Sequence, residues 1–260
     1  MRILLSIEYD GKNYYGWQEQ KNPNTIQGKI QKAIFEFTQE EVKLHVGGRT
    51  DSGVHATGQI AHFDTNIKRS EINWLLGLNS LLPNDIRINY IKFMDDNFHA
   101  RFSALSRSYR YIIYNNKVKP CLNRNKVCWY FLNVLDEIKM QEAAKTIMGT
   151  KDFSCFRSAH CQSKSPIRKI NDIIVKREND FMYIDINANS FLYNMVRNLV
   201  GSLVLVGSGE KDINWIQNLI ISKDRKNAGK QFPANGLYLV NIEYDLKYNL
   251  EKNINYPKYS

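Results

Sequence analysis

Hydrophobic and polar positions divide the first hundred residues into short apolar strands and two amphipathic helices. The helices show apolar side chains spaced by three and four residues, and the second pattern stops at Pro83, which cannot continue a helix. Runs that are apolar, or that alternate between apolar and polar residues, predict the strands. The strands are predicted at residues 2–9, 42–46, 59–63 and 86–93, and the helices at residues 25–37 and 70–82.

The rest of the chain shows a similar order of strands and helices. Its strands are not separated by regular helices, as a doubly wound or TIM-barrel fold requires. We therefore predict an α+β fold of two related halves, residues 1–103 and 104–260, with mostly antiparallel sheets. The later strands are predicted at residues 107–114, 167–176, 181–187 and 237–244, and the helices at residues 136–148, 190–206 and 213–222.

A glycine-bounded loop between two predicted strands concentrates the polar chemistry of the first half. Residues 47–56 read GGRTDSGVHA and bring Arg49, Asp51 and His55 into one short segment. Glycines there permit positive φ angles and let a ligand approach the backbone closely. The loop is therefore a candidate active site, although a plain hairpin turn in which Asp51 binds its own backbone gives the same pattern.

Arg197 lies in a predicted helix that is apolar nearly all round. Burying a guanidinium without a partner is unfavourable, so we expect Arg197 to pair with a carboxylate, and Asp51 is a reasonable partner. Such a pair would keep the carboxylate ionised, as a nucleophile requires. The alternative is an Arg197 side chain that extends along apolar surface and keeps its charge in solvent.

The charge of the chain favours a polyanionic partner, because 36 Lys and Arg against 26 Asp and Glu give a net charge of +10. The 15 Tyr, 12 Phe and 4 Trp add aromatic faces on which unpaired bases can stack. Tyr109 and Tyr111 alternate with Arg110 on one strand, which suits an RNA-binding sheet and equally a buried one. The basic residues that could line a phosphate-binding cleft are Arg101, Arg107, Arg110, Lys164, Arg168, Lys169, Arg225, Lys226 and Lys230. We predict that the first six of these contact RNA.

Composition and cysteine spacing exclude several classes of protein. Hydrophobic residues at 43% and charged residues at 24% are typical of a globular chain, not of a disordered or multi-span membrane protein. The longest apolar run, residues 199–206, is far shorter than the roughly 18 residues that span a bilayer. Cys155, His160 and Cys161 lack a fourth ligand at metal-binding spacing. We therefore predict reduced cysteines, no metal site and a cytoplasmic location.

Four segments carry a resemblance to a known family. They are the loop GGRTDSGVHATGQ, the strand RSYRYIIYN, the helix NSFLYNMVRNLVG and the terminal segment ANGLYL. In this order and spacing they resemble the tRNA pseudouridine synthase A family, and the similarity extends over nearly the whole chain. The resemblance implies the pseudouridine synthase fold, in which two related ferredoxin-like (RRM-like) halves face a central active-site cleft.

The resemblance also implies roles for five residues. Asp51 is similar to the catalytic aspartate of the family, and Arg49 to the arginine that helps to flip the target nucleotide. Tyr109 resembles the tyrosine that packs on the target base and is a candidate for the final proton transfer. Arg197 matches the arginine that pairs with the aspartate, and Leu237 resembles the apolar residue that closes the pocket over the uracil.

By resemblance, the chain is an isomerase that converts uridine to pseudouridine in the anticodon stem-loop of tRNAs, as a homodimer and without cofactor or metal. The reaction breaks the N1–C1′ bond, turns the uracil and rejoins it through C5. Asp51 could attack C1′, remove the C2′ proton or add to C6 of uracil, and the sequence leaves these routes open. Asn194 stands where many members have His, and Phe232 where a smaller residue is common, which affects RNA contacts and not the chemistry.

Two other functions fit parts of the pattern. A non-catalytic RNA-binding protein of the same fold would share the charge and the aromatic residues, but it would not need Asp51 in a glycine-rich loop. A glycoside hydrolase acting on a nucleoside would use two carboxylates, and Asp64 is the second candidate near the loop. We expect Asp64 instead to cap the end of a strand.

Overall fold

The computed structural model describes residues 1–19, 24–159, 161–250 and 255–259. Within these ranges the chain has the mixed α+β composition that the sequence predicts. In chain order the elements are β1 (Arg2–Tyr9), α1 (Ile26–Thr38), β2 (His45–Val46), β3 (His55–Asp64), α2 (Glu71–Leu81), β4 (Ile86–Met94), β5 (Ala104–Asn115), β6 (Cys128–Tyr130), α3 (Glu137–Lys145), β7 (Gly149–Asp152), β8 (Ile167–Glu178), β9 (Phe181–Ala188), α4 (Met195–Gly207), α5 (Trp215–Ser222) and β10 (Leu237–Tyr244).

The first compact unit comprises residues 1–107 and 238–256 and is built around β1. β1 pairs antiparallel with β3 on one side and with β4 on the other, while β2 and the parallel strand β10 both pair with β3. The side chains of Ile3, Leu4, Leu5 and Ile7 are all fully buried. Because consecutive residues point to opposite faces of a sheet, both faces of β1 are covered, which explains its continuous apolar run.

Helix α1 begins where its sequence signals predict. The hydroxyl of Thr25 accepts a hydrogen bond from the Gly28 N–H at 3.2 Å and so satisfies a donor at the helix start. The helix ends at Thr38, and the next residue, Gln39, adopts a left-handed conformation with a φ of 61°. The buried stripe predicted from the helical spacing is present at Ile26, Ile30, Ala33 and Ile34.

The second compact unit comprises residues 108–237 and 257–260. Its strands lie in the order β5-β9-β8-β7, and β6 runs parallel to β5. β8 and β9 form the predicted hairpin, in which Glu178 lies opposite Phe181 and Asn179 takes a left-handed conformation at the turn. Strands β6 and β7 were not predicted, because runs of three and four residues are too short to show a period.

Helix α4 starts at Met195 and not near residue 190, because Asn194 interrupts the helix with φ 60° and ψ 9°. Asparagine tolerates this left-handed conformation better than most residues do. A Cβ at Gly201 would lie 1.9 Å from the carbonyl oxygen of Lys230, so only glycine lets residues 229–232 lie directly against α4. Although α4 is apolar, none of the helices in the described ranges is long and apolar enough to cross a membrane.

The two compact units differ from the predicted halves at the C-terminal end. Residues 238–256 belong to the first unit, where β10 pairs with β3. The predicted boundary at residue 103 lies just before β5, and the observed boundary at residue 107 lies near the start of that strand. The difference at the C-terminal end arises because strand pairing depends on partners far away in the chain, which the local hydrophobic pattern does not encode.

Candidate active site

Two buried side chains of the first unit, Gln59 and Tyr9, form hydrogen bonds with the loop between β2 and β3, residues 47–54. The Gln59 amide donates to the Gly48 carbonyl at 2.6 Å and accepts from the Gly48 N–H at 3.3 Å. The hydroxyls of Tyr9 and Thr50 are 2.7 Å apart, and burial raises the pKa of Tyr9 to about 12. These contacts attach the residues on both sides of Arg49 to the sheet and limit how far the loop can move.

The other side of the loop is bonded to the segment that precedes α1. The Trp17 N–H donates to the Thr50 carbonyl at 3.0 Å, and the Gly53 N–H and the Ser52 hydroxyl both donate to the Tyr14 carbonyl. Gly16 lies so close that a Cβ there would meet the Thr50 carbonyl at 2.7 Å. The backbone on both sides of Asp51 is therefore anchored at several points.

The three charged or titratable side chains that the sequence places in this loop have different environments. Arg49 is exposed and Asp51 is half-buried, whereas His55 is buried. The His55 Nδ1 accepts from the Gly11 N–H at 3.1 Å and lies 3.0 Å from Asp10, and its ring stacks on Tyr238. His55 therefore supports the base of the loop, and Asp51 is the loop residue best placed to present a carboxylate to a ligand.

Tyr109, Arg197 and Leu237 all lie in the second unit. The Tyr109 ring is 8% exposed and packs edge-to-face on Phe191, with ring centroids 5.1 Å apart. Leu237 is buried at the start of β10. Tyr111, the neighbour of Tyr109 on the same face of β5, is fully buried. The aromatic side chains of β5 are therefore largely part of the core, and Tyr109 retains a small accessible surface.

Arg197 lies in the first turn of α4, with its guanidinium against residues 231–232. Its Nε donates to the Phe232 carbonyl at 2.7 Å, and its Nη1 donates to the Asn194 Oδ1 at 3.2 Å. The Phe232 N–H in turn donates to the Arg197 carbonyl at 3.2 Å. Arg197 is half-buried, and neutral oxygens accept some of the hydrogen bonds of its guanidinium. Its pairing with a carboxylate stays a prediction.

Two of the six arginines and lysines predicted to contact RNA are engaged within the protein. The Arg107 guanidinium donates to the Gly47 carbonyl at 2.9 and 3.2 Å, and so supports the start of the loop. Arg110 is 4% exposed, and its Nε and Nη2 each lie 2.6 Å from a carboxylate oxygen of Asp185. The Pro257 carbonyl accepts from Arg110 Nη1 at 3.1 Å. Arg110 is therefore neutralised inside the second unit, where the sequence alone gave no sign of its partner.

The other four basic residues of the predicted set lie nearer the surface. Arg101, Lys164 and Lys169 are exposed. Arg168 is half-buried and donates to the carbonyls of Ser165 and Ile167, and burial lowers its pKa. The three exposed side chains are the best placed of the set to meet a polyanion.

A cluster of three histidines was not predicted from the sequence. One ring nitrogen from each of His45, His62 and His99 can be chosen so that all lie within 4.8 Å of one another. The Nδ1 of His62 accepts from the Ala100 N–H at 3.1 Å, and the Nδ1 of His99 accepts from the Arg101 N–H at 3.1 Å. A neutral imidazole that accepts at Nδ1 carries its proton on Nε2, whereas a metal ligand donates from its second nitrogen. These hydrogen bonds fit packing and not metal ligation.

The second group considered for metal includes His160, which lies outside the described residues. Its neighbour Cys155 is fully buried, and burial raises the pKa of that thiol to about 12. A thiol protonated at neutral pH is a poor metal ligand, because the thiolate is the form that binds. Cys155 therefore contributes to the core.

The buried His62 of this cluster should make the stability of the fold sensitive to acid. Burial, together with the charges of Arg2, His99 and His45, lowers the pKa of His62 to about 3. The unfolded chain binds a proton at this residue below about pH 6.5, whereas the folded chain does not. We expect the unfolding free energy to fall by on the order of 1 kcal/mol per pH unit between about pH 6 and pH 4.

Urea unfolding at neutral and mildly acidic pH would measure this dependence. His62→Asn keeps an acceptor for the Ala100 N–H but does not titrate, so it should weaken the pH dependence. An equal loss of stability with pH in the variant and in the wild-type protein would show that His62 is not the source.

Comparisons with known proteins agree with the resemblance found in the sequence. The family described as "tRNA pseudouridine synthase" matches residues 5–103 and 143–245. The chain is 46% identical to the proteins called "tRNA pseudouridine synthase A" from Shewanella pealeana and Aliivibrio fischeri, over 97% of its own length and 96% of theirs. The protein of that name from Vibrio campbellii is 46% identical over 97% of this chain and 95% of its own length.

Among solved structures, the chain aligns over 92% of its length with 58% of a chain in the "Crystal Structure of a Cbf5-Nop10-Gar1 Complex", at 12% identity and a TM-score of 0.40, a likeness too weak to assign a fold. The family match and the 46% identity along almost the entire chain decide the classification. They confirm the predicted isomerase and remove the case for a non-catalytic RNA-binding protein. The chain belongs to the tRNA pseudouridine synthase A family, and its activity is the isomerisation of uridine to pseudouridine in tRNA.

Proposed function

We propose that Asp51 is the catalytic carboxylate and that the target uridines lie in the anticodon stem-loop of tRNA. The observation that supports Asp51 is the fixed position of its loop: Asp51 is half-buried, and hydrogen bonds connect the residues around it to β3, to β1 and to the segment before α1. Reacting groups gain most when they are held in position before the substrate arrives. The stem-loop substrate is proposed from the resemblance of the four sequence segments.

The isomerisation needs one ionised carboxylate and a site that retains the free uracil. It conserves the atoms and electrons of the nucleoside, since N1–C1′ breaks, C5–C1′ forms, the C5 proton leaves to water and N1 takes up a proton. Asp51 can act on C1′, on the C2′ proton or on C6 of uracil, and each route begins from the ionised form. Once the glycosidic bond is broken, the site must hold the uracil while it turns.

Tyr109 and Leu237 are proposed to hold the uracil, and Arg49 to hold the place of the flipped nucleotide. Tyr109 offers a ring whose orientation is fixed by its edge-to-face contact with Phe191. Arg49 lies on the same loop as Asp51 and is exposed. A side chain that takes the place of a flipped nucleotide among the stacked bases of the RNA has to be exposed. Flipping a base out of a stem costs a few kcal/mol, which phosphate contacts elsewhere can offset.

Arg197 is proposed to supply the positive charge that keeps the catalytic carboxylate ionised. A guanidinium remains protonated at any physiological pH and can bind both oxygens of a carboxylate. The described acceptors of Arg197 are neutral oxygens, which orient the guanidinium without cancelling its charge. This role is consistent with the position of Arg197 in an otherwise apolar helix.

For the RNA surface we propose Arg101, Lys164 and Lys169, with Arg168 in a supporting position. Arg107 and Arg110 are left out, because their guanidinium groups are engaged by the protein itself. We also propose that the enzyme acts as a homodimer in the cytoplasm. The dimer is proposed from the resemblance, and the cytoplasm because tRNA is the substrate of the family.

The substrate proposal is tested with an isolated anticodon stem-loop labelled with tritium at C5 of its uridines. We expect tritium to appear in water while the mass of the RNA changes only by the label, because C5 loses its hydrogen as the C–C bond forms. The control is a full-length tRNA labelled in the same way, in which every uridine of the anticodon stem-loop is replaced by cytidine. This tRNA should release no tritium. Release that is undiminished in that tRNA would place the target elsewhere, and free uracil would indicate hydrolysis.

A further inference from the structure

We infer that Gln231 is a positioning residue for Arg197, and that the enzyme requires a neutral acceptor at this place. The inference rests on the role proposed above for Arg197 as the partner of the catalytic carboxylate. Gln231 follows the close contact between Lys230 and Gly201, and it immediately precedes Phe232, whose backbone bonds to Arg197. The residue was not singled out from the sequence, because an isolated Gln in a polar segment has no periodic or motif signal.

The geometry around the guanidinium identifies what Gln231 does. One terminal atom of its amide lies 2.7 Å from Arg197 Nη1 and 2.9 Å from Nη2. The same atom lies 3.2 Å from the Asn194 Oδ1, but a guanidinium offers only donors and its two nitrogens are closer, so we assign the amide atom as the oxygen and not the NH2 group. The Gln231 oxygen therefore accepts from both terminal nitrogens at once, which fixes the plane of the guanidinium as well as its position.

Two further acceptors complete this arrangement. The Phe232 carbonyl accepts from Nε at 2.7 Å and the Asn194 Oδ1 accepts from Nη1 at 3.2 Å. Asn194 is itself fixed, because it holds the left-handed position before α4 and donates to the Ser158 hydroxyl. We call these three acceptors, from Gln231, Phe232 and Asn194, the neutral cradle. Each is uncharged, so the cradle orients Arg197 and leaves its full positive charge to act on a carboxylate.

The backbone of Gln231 is placed by contacts that do not involve its side chain. The Gly229 N–H donates to the Ser202 hydroxyl at 2.9 Å, and the Phe232 N–H donates to the Arg197 carbonyl at 3.2 Å. The residue itself is exposed, so shortening its side chain removes no core packing. Substitutions at residue 231 can therefore change the orientation of the Arg197 guanidinium without unfolding the second unit.

The charge of the acceptor, and not its shape, should decide the activity. Gln231→Ala removes one acceptor and loosens the guanidinium, and we expect the single-turnover rate to fall by about tenfold. Gln231→Glu keeps the shape but offers Arg197 a carboxylate of its own, which competes with the catalytic aspartate. We expect the single-turnover rate of Gln231→Glu to fall by about a hundredfold and its maximum to move to higher pH.

The experiment measures tritium release under single turnover, with enzyme in excess over C5-labelled tRNA, and tRNA affinity by filter binding. The matched control is Gln217→Glu, the same change on the exposed face of α5. Gln217→Glu should leave the rate unchanged. It therefore separates two effects: competition for Arg197 by the new carboxylate at residue 231, and repulsion of the RNA by one added negative charge. Thermal unfolding should show that Gln231→Glu is about as stable as the wild-type protein, because residue 231 is exposed and a surface ion pair changes stability little.

The possible outcomes separate this inference from the function on which it rests. The inference holds if Gln231→Glu is slower than Gln231→Ala while the tRNA affinity of both stays within about twofold of wild type. It is overturned if Gln231→Glu matches the wild-type rate, or if both variants lose affinity and keep the rate, since Gln231 would then contact RNA. Full activity of Arg197→Leu would instead overturn the proposed role of Arg197, and with it the basis of the inference.

Discussion

Replacing Asp51 by asparagine is expected to abolish turnover, with a loss of at least about 10⁴-fold in the single-turnover rate. Asparagine has the shape of aspartate but cannot attack C1′, remove a proton or add to C6 as an anion. The Asp51 backbone carbonyl would still accept from the Val54 N–H at 3.1 Å, so the loop should keep its conformation. Tritium release from C5-labelled tRNA gives the rate, and filter binding should show that tRNA still binds.

Asp64→Asn is the matched control for this prediction. Asp64 is the second carboxylate near the loop in sequence, and it lies at the end of β3 in an ion pair with Arg2 at 2.8 Å. The Arg2 hydrogen bond lowers the pKa of Asp64, so this carboxylate serves the fold in its ionised form. Asp64→Asn should lose some stability but keep turnover. Turnover that survives in Asp51→Asn, or that disappears equally in Asp64→Asn, would contradict the assignment of the catalytic carboxylate.

Replacing Arg197 by leucine is expected to lower the single-turnover rate by about 10²- to 10³-fold. Leucine suits the apolar helix, so α4 should form, but the catalytic carboxylate would lose its counter-charge and would be protonated more easily. The acid limb of the pH–rate profile should therefore move to higher pH. Arg197→Lys should recover part of the rate, because lysine keeps the charge but cannot bind two oxygens in one plane.

Arg124→Leu controls for the loss of one positive charge from the second unit. Arg124 is exposed and donates to the Cys121 carbonyl, so its removal should weaken tRNA binding at most slightly. Equal rates for Arg197→Leu and the wild-type protein would mean that no functional pair with a carboxylate exists. A loss confined to tRNA affinity would make Arg197 an RNA contact instead.

Much of the local structure could be predicted from the sequence. The Thr25 cap and the helical stripe that follows it define α1, and continuous apolar runs identify β1 and β9. Where the prediction was imprecise, a single residue was responsible: Asn194 delays the start of α4 because its left-handed backbone cannot continue a helix. The Asn194 amide also donates to the hydroxyl of Ser158, a partner that lies outside the local pattern.

The polar residues that support the site were harder to predict. Gln59 is fully buried within an apolar strand, and that contrast was a signal that the sequence contained. Tyr9 gave no such signal, because a tyrosine at the end of a strand is ordinary. Arg107 and Arg110 were grouped with surface cations. Arg107 is instead bound to the carbonyl of Gly47, and Arg110 to the carboxylate of Asp185, and both partners are distant in the chain. Charge counts do not distinguish an arginine that faces solvent from one that is neutralised inside.

The sequence by itself determined the family, the reaction and the residues proposed to carry out the chemistry, because four segments in fixed order and spacing carry that information. It also determined most helices and strands, since their periods are local properties of the chain. Tertiary structure alone decided which polar groups are satisfied by which partners: Gln59 under the loop, Asp185 on Arg110, and Gln231 on Arg197. A buried polar group must find a partner, but the partner is selected by the packing of elements that are far apart in sequence.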